Sequence, residues 1–296
     1  FNLYHGTKKA NFYLFETVND QEVANVLFER VFEWARKRGL DHIVGPKGLS
    51  LFDGYGIQVE GFDLRQMMTM MTYNYPYYPE MMENLGFEKE VDFVSCYISP
   101  QSFRVPEKIH NVAQKVQERG SLRIKNFSSK RELRQWAGKI GKAYNNTFVN
   151  NWEYYPQTER EIKYTLDDII MGANPRLIKL ITHNDDVVGF AFGFPDVSRA
   201  LQRMRGRLTP WAIADLLIEM KRANWISFNG IGVLPKFQGR GGPALMYTEM
   251  EKTLREFNYE HGELTQVAES AVQMRKELER LGGKAYKNHR VYRRDI

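Results

Sequence analysis

The first third of the chain alternates between short apolar runs and one long amphipathic segment. The apolar runs, which predict strands, are residues 11–18, 42–44 and 92–98. The amphipathic segment, residues 21–38, follows the capping side chains of Asn19 and Asp20 and predicts a helix. Its apolar residues recur at helical spacing, and those predicted to share one face are Val23, Val26, Leu27, Val31 and Trp34. A shorter helix is predicted over residues 78–84, before Gly86.

The rest of the chain alternates in the same way, which favours an α/β or α+β sheet protein over a helix bundle or a β-sandwich. The predicted helices are residues 106–119, 128–144, 158–171, 243–257 and 271–280. The predicted strands are residues 122–127, 176–182, 187–194, 225–233 and 263–267, with a hairpin or strand pair over 285–294. Asn184 and Asp185 predict a tight turn between two of these strands. Gly120 marks the expected boundary, which divides the chain into a lobe of residues 1–104, a linker of 105–121 and a lobe of 122–296.

Composition narrows the class of protein. The chain is 43% apolar and 13% aromatic, as folded globular proteins are, and it has no apolar run of membrane length and no signal peptide. We therefore expect a cytoplasmic protein with no membrane partner. The single cysteine, Cys96, excludes an intrachain disulfide, and the six histidines lack ligand spacing, so no metal is expected. The chain begins at Phe1 without an initiator methionine, which indicates a piece of something longer.

The net charge of +6 suits an anionic ligand, and residues 230–245 carry the clearest candidate site for one. A buried strand ends at Val233, Pro235 leads out of it, and a glycine-rich loop opens the next helix. Such a loop presents backbone N–H groups and the positive end of a helix dipole, which bind phosphate or pyrophosphate. The loop has neither the dinucleotide fingerprint nor the Lys-Ser/Thr of a Walker loop. Taken alone, the glycines are equally consistent with an ordinary strand-to-helix turn.

One known family has a similar loop. The acyl-CoA signature of the GNAT superfamily of acyltransferases, V-x-P-x-x-Q/R-x-x-G-x-G/A, resembles Val233-x-Pro235-x-x-Gln238-Gly239-Arg240-Gly241-Gly242 of this chain. The element order of residues 122–296 also resembles that fold. The resemblance implies that the backbone of Ile231, Gly232 and Val233 pairs with the pantetheine arm of acetyl-CoA or another acyl-CoA. It further implies a pyrophosphate-binding loop made of Gln238, Gly239, Arg240, Gly241, Gly242, Pro243 and Ala244.

The chain departs from the family pattern at three positions. Pro243 stands where glycine or alanine closes the signature, and proline removes one phosphate-facing N–H. Ala271 falls where an asparagine often contacts pantetheine, and Leu278 falls where a tyrosine often protonates the leaving thiolate. The resemblance therefore implies cofactor binding more firmly than it implies turnover.

Residues 11–98 resemble the back part of a second GNAT-type domain. The place of the phosphate loop is taken by residues 18–22, which lack glycine and contain Asp20 and Glu22. Because these acids would repel a pyrophosphate, we expect this lobe to bind no CoA. The pattern is that of a two-lobed protein whose first lobe is degenerate and N-terminally incomplete.

Glu269 and Tyr292 are the catalytic residues we predict. Glu269 lies just past the strand over residues 263–267, where a carboxylate could take a proton from an attacking amine. The position is equally suited to a neighbour of a helix cap. Tyr292 lies in the terminal strands and could supply the missing acid, with Tyr286 and His289 as alternatives.

Three further groups of residues have two interpretations each. The methionines Met67, Met68, Met70 and Met71 beside Tyr73, Tyr75, Tyr77 and Tyr78 favour core packing over an adaptable wall for an apolar acceptor. Trp152, Tyr154 and Tyr155 suit pocket lining and simple packing equally. The arginines Arg199, Arg203, Arg205 and Arg207 favour a solvated helix face over a surface for an anionic substrate.

Taken together, the resemblance implies an acyl-CoA-dependent N-acyltransferase. A small-molecule or peptide amine would attack the thioester directly in a ternary complex, since Cys96 lies far from the motif in sequence and argues against an acyl-enzyme. A non-catalytic acyl-CoA-binding or scaffold protein is the first alternative, and an aminoacyl-tRNA-dependent transferase is the second. A nucleic-acid partner is not expected, because no dense basic tract is present.

Overall fold

The computed structural model describes residues 1–48, 53–67, 71–101 and 103–296, with residue 168 by its backbone alone. The helices are α1 (Asn2–His5), α2 (Gln21–Arg36), α3 (Tyr78–Asn84), α4 (Glu107–Arg119), α5 (Lys130–Gln135), α6 (Ala137–Thr147), α7 (Glu159–Gly172), α8 (Ser198–Met204), α9 (Pro210–Arg222), α10 (Gly242–Glu256) and α11 (Val272–Arg280). The strands are β1 (Lys9–Asn11), β2 (His42–Gly45), β3 (Ile57–Glu60), β4 (Glu88–Ile98), β5 (Arg123–Lys125), β6 (Ile178–His183), β7 (Asp186–Pro195), β8 (Trp225–Val233), β9 (His261–Ala268) and β10 (Lys284–Asp295). Within the described ranges, every helix is too short or too polar to span a bilayer.

The chain folds into two compact units that do not follow the sequence order. Unit 1 contains residues 1–96, 265–275 and 285–296, and unit 2 contains residues 97–264 and 276–284. The terminal strand β10, which the sequence analysis placed with the second lobe, lies in unit 1 apart from its first residue. Its ladder partners β2 and β3 belong to residues 1–96, and pairing between such distant segments leaves no local mark in a sequence.

The sheet of unit 1 has the strand order β1-β2-β10-β4, and β3 also pairs with β10. β1 runs parallel to β2, whereas β10 runs antiparallel to both β2 and β3. The hairpin or strand pair predicted over residues 285–294 is therefore wrong. Those residues lie within one 12-residue strand, Lys284–Asp295, because they pair with β2 and β3 and not with each other.

The strand predicted over residues 11–18 is also wrong beyond its first residue. β1 ends at Asn11, and the chain then leaves the ladder. Phe12 and Phe15 instead place their rings 5.3 and 5.1 Å from the ring of Phe28 on α2. Aromatic residues favour strands because they pack well on a half-buried surface, and here the same packing occurs without a strand.

Helix α2 begins where predicted but buries the other face. The carboxylate of Asp20 caps it by accepting from the N–H of Glu22 at 2.9 Å. The buried residues are Ala24, Phe28, Phe32 and Ala35. Of the predicted face, Val31 is half-buried against this core, whereas Val23, Val26, Leu27 and Trp34 are exposed. Two apolar stripes compete on this helix, and the pair of phenylalanines offers the larger apolar area to the core.

The sheet of unit 2 has the strand order β9-β8-β7-β6-β5. β8 runs parallel to β9, and the remaining neighbours are antiparallel, so the sheet is mixed. Helix α10 packs on β5, β6, β7 and α4, and α6 packs on β7 and β8. The fold is thus a mixed sheet flanked by helices, which confirms the predicted α/β or α+β class.

Local signals in unit 2 set most element ends. Asn184 and Asp185 adopt positive φ values of 47° and 65° in the turn between β6 and β7, as predicted. Thr158 caps α7 in a reciprocal capping box with Glu161. The helix predicted over residues 128–144 is two helices, α5 and α6, which meet at Trp136.

Candidate functional site

The centre of unit 2 is β8, the strand that leads into the glycine loop. Its parallel ladder with β9 starts at the pair Trp225–His261 and ends at Phe228–Leu264. Further along, Ile231, Gly232 and Val233 have ladder partners on β7. In the described part of the chain, this last stretch of β8 is paired on one side alone.

The backbone groups of Ile231 and Val233 face away from β7. Leu234 N–H donates to the carbonyl of Val188 at 2.8 Å, and hydrogen-bonded positions alternate along an antiparallel ladder. The register pairs Gly232, two residues before Leu234, with Phe190, two residues after Val188, so Gly232 is the next position bonded to β7. Val233 lies between these two bonded positions, and Ile231 lies just before them. Both residues therefore point their N–H and C=O groups away from β7, where an amide-bearing ligand could add to the strand.

A bulge separates the two halves of β8. The register with β7 shifts between the pairs Ala191–Ile231 and Gly193–Phe228, which leaves one extra residue on β8. Gly230 lies in this bulge with φ of 91°, and a Cβ there would lie 3.0 Å from the ring of Phe192. The position therefore requires glycine, and the bulge turns the strand just before the candidate ligand-binding stretch.

The loop after β8 is held by one side chain and two left-handed glycines. Gln238 donates from Nε2 to the carbonyl of Val233 at 3.2 Å, which ties the loop back to the end of the strand. Gly239 and Gly241 have φ values of 71° and 83°, in the region that favours glycine. Gly241 is also the N-cap of α10, and no side chain caps that helix end.

The fit of this loop to a pyrophosphate can be judged from its walls. Space is open around Gly239, where a Cβ would meet nothing within 4 Å. Gly241 is closely packed against α4, since a Cβ there would lie 2.6 Å from Cγ2 of Val116. Pro243 has no N–H, and Ala244 donates to the carbonyl of Gly241 at 3.1 Å. The N–H groups of residues 239–242 therefore carry the fit, together with the positive end of α10.

Two cationic side chains add positive charge at this loop. Arg240 lies over the ring of Phe237 with its guanidinium carbon 5.2 Å from the ring centre, and Lys236 lies over the same ring at 5.3 Å. Both residues are exposed, whereas Phe237 is buried. The charge favours a phosphate-bearing ligand over a neutral one.

The face of β8 carries contacts that the sequence analysis missed. A Cβ on Gly232 would overlap with Cγ2 of Thr147 and would lie 3.4 Å from the ring of Phe148, both at the end of α6. Thr147 is fixed by its own hydroxyl, which donates to the carbonyl of Ala143 at 2.8 Å. Contacts between elements that are distant in sequence have no periodic signal, so only the structure identifies them.

Glu269, the predicted base, lies in unit 1, whereas the glycine loop lies in unit 2. Its carboxylate accepts from Lys89 Nζ at 2.7 Å and from the N–H of Asp92 at 3.1 Å. The hydrogen bond from Lys89 to Glu269 raises the pKa of that lysine. Glu269 therefore belongs to an ion-pair cluster on β4, and its catalytic role stays a prediction.

The same cluster continues to β10. Arg290 donates to the carboxylate of Asp92 at 2.8 and 3.1 Å, and Asn288 donates to it at 3.1 Å. Burial opposes the charged form of Asp92, but these hydrogen bonds outweigh it and hold the pKa of Asp92 below its usual value. A carboxylate whose charged form is favoured thus lies beside Glu269, and no sequence pattern had indicated it.

Tyr292, the predicted acid, lies in the core of unit 1. It is 1% exposed and packs in the cluster that contains Phe28, Phe32 and Met82. Burial raises the pKa of its hydroxyl to about 12. These are the contacts of a core residue, and the proposed proton transfer stays a prediction.

The alternatives to Tyr292 lie on the same strand. His289 is fully buried, and a hydrogen bond at 3.1 Å joins its Nε2 to the carbonyl of Thr72. Burial lowers the pKa of His289 to about 4, so the ring is neutral at pH 7. Tyr286 is half-buried, with Lys287 Nζ 4.6 Å from its ring centre.

Leu278 and Ala271, at the two positions that depart from the family pattern, differ in their surroundings. Leu278 is 3% exposed on α11, whereas Ala271 is half-buried just before that helix. The neighbour of Leu278, Glu277, hydrogen-bonds Tyr247 on α10, and burial raises the pKa of that tyrosine. Tyr247 is thus a tyrosine in unit 2 close to the position of the missing acid, and the sequence analysis overlooked it.

The remaining predicted features resolve in part. Met67 and Met71 are buried, as core packing predicts, whereas Met68 and Met70 lie outside the described residues. Tyr154 donates its hydroxyl to the carbonyl of Asn145 at 2.6 Å, which ties its loop to the last turn of α6. No group of three or more His, Cys, Asp or Glu side chains in the described ranges is placed to hold a metal ion.

Two known proteins are similar in sequence to nearly the whole chain. No protein-family model matches the chain. It is 27% identical over 300 residues to "Bacterial ceramide synthase" of Caulobacter vibrioides (strain NA1000 / CB15N), which covers 98% of this chain and 76% of the relative. It is 24% identical over 298 residues to "Protein YghO" of Escherichia coli (strain K12), which covers 99% of this chain and 75% of that protein.

Solved structures match the fold of the whole chain. The GCN5-related glucosamine N-acetyltransferase region of a fungal multi-domain GH3 beta-N-acetylglucosaminidase superposes with a TM-score of 0.55 at 12% identity, over 91% of this chain and 27% of that one. The tandem GNAT protein from the clavulanic acid biosynthesis pathway superposes with a TM-score of 0.51 at 11% identity, over 98% of this chain and 76% of that one. The chain therefore has a GNAT-like fold, similar to that of a tandem GNAT protein.

Proposed function

We propose that the protein is an acyl-CoA-dependent N-acyltransferase. The observation that carries the proposal is the stretch of β8 at residues 231–233, which is paired on one side and leads directly into the left-handed glycines at the N-terminus of α10. The N–H and C=O groups of Ile231 and the N–H of Val233 would bind the pantetheine arm, since the carbonyl of Val233 already accepts from Gln238. The N–H groups of residues 239–242, with Arg240, would bind the pyrophosphate.

The acyl-CoA would supply an activated acyl group as a thioester. The amine nitrogen of the acceptor attacks the carbonyl carbon, so a C–N bond forms and the C–S bond breaks. The electron pair of the broken C–S bond stays on sulfur, and the sulfur takes up the proton lost by the amine. CoA therefore leaves as the free thiol, and no other reactant is required. The role of this chain is to hold the two substrates together, to direct N–H groups at the carbonyl oxygen and to provide a base.

The acceptor we propose is a long-chain amine. The support is the relative of 27% identity over nearly the whole chain whose name is that of a ceramide synthase. A ceramide is a fatty acid in amide linkage to a long-chain amino alcohol, so its formation is an N-acyl transfer. The acyl group on this proposal is a fatty acyl chain, with acetyl as the short alternative to be tested beside it.

Titration calorimetry with CoA, acetyl-CoA and a long-chain acyl-CoA tests the cofactor site. Gly239→Ala should weaken the binding of all three by roughly tenfold, since the side chain strains the left-handed turn that carries the N–H groups. Gly206→Ala is a matched control, because Gly206 has a similar φ of 74° and also has nothing within 4 Å of a Cβ. Absence of binding for the unmodified protein, or equal weakening by both variants, would refute the site.

Release of free thiol from each acyl-CoA, in the presence of long-chain and short-chain amines, tests the reaction. The second candidate function is binding without turnover, which the buried Leu278 at the position of the usual acid favours. Thiol release that depends on the amine, with the amide found by mass spectrometry, supports the transferase. Tight binding of CoA without amine-dependent release supports the binding protein.

A further inference from the structure

Helix α9, between β7 and β8, exposes an unusually apolar surface. None of its residues is buried. Trp211 is 84% exposed, and the other strongly exposed apolar residues of the helix are Ile213, Leu217 and Ile218. At about 100° per residue the four span the outward half of α9, with Trp211 and Ile213 at its two edges. Leu208, in the turn before the helix, is 79% exposed as well.

The acids of α9 lie on its other side and are neutralised. Arg203 of α8 donates from Nε and Nη2 to Asp215 at 2.8 and 3.0 Å, and from Nη2 to Glu219 at 2.6 Å. Asp215 and Glu219 are the only acids of residues 198–222. The same half-buried side carries Ala212, Leu216 and Met220, so α9 is apolar on its packed side and also on its exposed side, unlike an ordinary amphipathic surface helix.

The segment that contains α8 and α9 has an excess of positive charge. Residues 198–222 contain six cationic side chains, of which Arg203 is the one used by the two acids. Arg199, Arg205 and Arg207 are exposed and line a depression of about 750 Å³ at α8. Lys221 and Arg222 are exposed at the end of α9. Together these residues, 198–222, form what we call the α8–α9 surface.

We propose that the α8–α9 surface binds the face of an anionic lipid bilayer. Trp211, Leu217 and their apolar neighbours would enter the boundary between headgroups and acyl chains, and the arginines would contact phosphate headgroups. An exposed tryptophan, aliphatic side chains and cations without acidic partners in the segment are more stable at the interface of an anionic bilayer than in bulk water. A second copy of this chain fits poorly, since a symmetric contact would bring the same cations together.

The proposal revises the expectation that the protein has no membrane partner. That expectation rested on the length of apolar runs, which reveals spanning helices and not helices that lie in the interface. The membrane proposal does not depend on the proposed acyltransferase activity, because lipid binding is measured without acyl-CoA or amine. Loss of activity and loss of membrane binding are thus separate results.

The test is co-sedimentation of the full chain with lipid vesicles. One set contains phosphatidylcholine alone, and in the other phosphatidylglycerol replaces part of it. We expect binding to the anionic vesicles, weakened when salt rises from about 0.1 M to about 1 M, since the screening length falls from about 10 Å to about 3 Å. Binding to neither set, or equal binding to both at every salt concentration, would overturn the proposal.

Two pairs of substitutions separate the apolar and the charged contributions. Trp211→Ser with Leu217→Ser should lower the partition coefficient roughly tenfold or more, because two large apolar side chains no longer leave water. Arg199→Gln with Arg207→Gln should lower it as well and reduce its dependence on salt. The matched control is Trp34→Ser, which removes another exposed tryptophan, on α2 of unit 1.

Trp34→Ser should leave vesicle binding unchanged. A loss of binding in Trp34→Ser without a loss in the Trp211→Ser pair would assign the membrane contact to α2 and overturn the proposal. Fluorescence quenching by lipids with brominated acyl chains gives a direct readout, since the quenched fraction should fall in Trp211→Phe. Sedimentation velocity of the same variants covers the remaining case, in which Trp211 changes self-association and not lipid binding, and this outcome would also refute the proposal.

Discussion

Val116 of α4 occupies the space that a side chain on Gly241 would need. The missing Cβ of Gly241 would lie 2.6 Å from Cγ2 of Val116 and 3.1 Å from Cγ1 of Val112. Because Gly241 is also the N-cap of α10, this contact fixes where the helix begins. The glycine is thus required twice, by its backbone conformation and by its neighbour.

The two loop glycines should therefore differ in their effect on stability. Gly239→Ala strains the backbone alone, which costs about 1–2 kcal/mol for a non-glycine residue in the left-handed region. Gly241→Ala adds overpacking against Val116, about 1–3 kcal/mol more. Urea denaturation of both variants measures the difference. Equal losses would show that the contact with Val116 relaxes without cost.

The face of β8 offers a second steric test. Gly232→Ala places a methyl group against Cγ2 of Thr147 and should lower the free energy of unfolding by about 1–3 kcal/mol. Thr147→Ser removes Cγ2 but keeps the hydroxyl that donates to Ala143. The double variant should therefore recover part of the loss. A double-mutant cycle with no coupling energy would contradict the contact.

Local signals explain what the sequence could predict. The helix over Tyr78–Asn84 and the strand over Trp225–Val233 have the predicted bounds, because Gly86 ends the first and Pro235 follows the second. Asp20, Ser129 and Thr158 act as helix caps, since each accepts from a nearby backbone N–H. The glycine loop is likewise a local pattern, and its left-handed residues are glycines.

Long-range packing explains what it could not predict. The apolar face of α2 was wrong because two stripes of similar width exist, and only the phenylalanines that surround Phe28 decide between them. The single strand β10 was missed because its partners β2 and β3 are more than 200 residues away in sequence. The neighbours Val116 and Thr147 of the loop and strand glycines were missed for the same reason.

His289 should make the stability of unit 1 depend on pH. Its pKa is about 4 in the folded chain, below the ordinary 6.5, because the ring is buried. As pH falls from about 6.5 to about 4, the unfolded chain takes up a proton that the folded chain does not, so stability is lost over this window, by about 3 kcal/mol in all.

Urea denaturation at a series of pH values measures this loss. The free energy of unfolding of His289→Gln should depend less steeply on pH over this range than that of the unmodified chain. His5→Gln, at an exposed position on α1, supplies the control for the loss of a histidine as such. An unaltered slope in His289→Gln would mean that other groups cause the acid sensitivity.

Gln238 should act on the cofactor through the end of β8. Its Nε2 donates to the carbonyl of Val233, so Gln238→Ala leaves that carbonyl unbound and loosens the loop. We expect the affinity for CoA to fall by roughly tenfold, about the effect of one hydrogen bond of 1 kcal/mol or slightly more. Gln238→Glu should be at least as weak, because a carboxylate cannot donate and would also repel the phosphates. Calorimetry with CoA decides, and unchanged affinity in both variants would place Gln238 outside the site.

Glu269 can be separated from its structural neighbours by comparing it with Lys89. The two form a half-exposed ion pair, which contributes about 0.2–1 kcal/mol, so Glu269→Gln and Lys89→Gln should lower stability by similarly small amounts. If Glu269 is the base of the proposed reaction, Glu269→Gln should lower kcat by a factor of about 10²–10⁴ and remove the acid limb of the pH–rate profile. Lys89→Gln keeps the carboxylate and should keep most of the activity. Equal, small losses of activity in the two variants would reduce Glu269 to a member of the Lys89–Asp92 cluster, and the base would then have to be sought in unit 2.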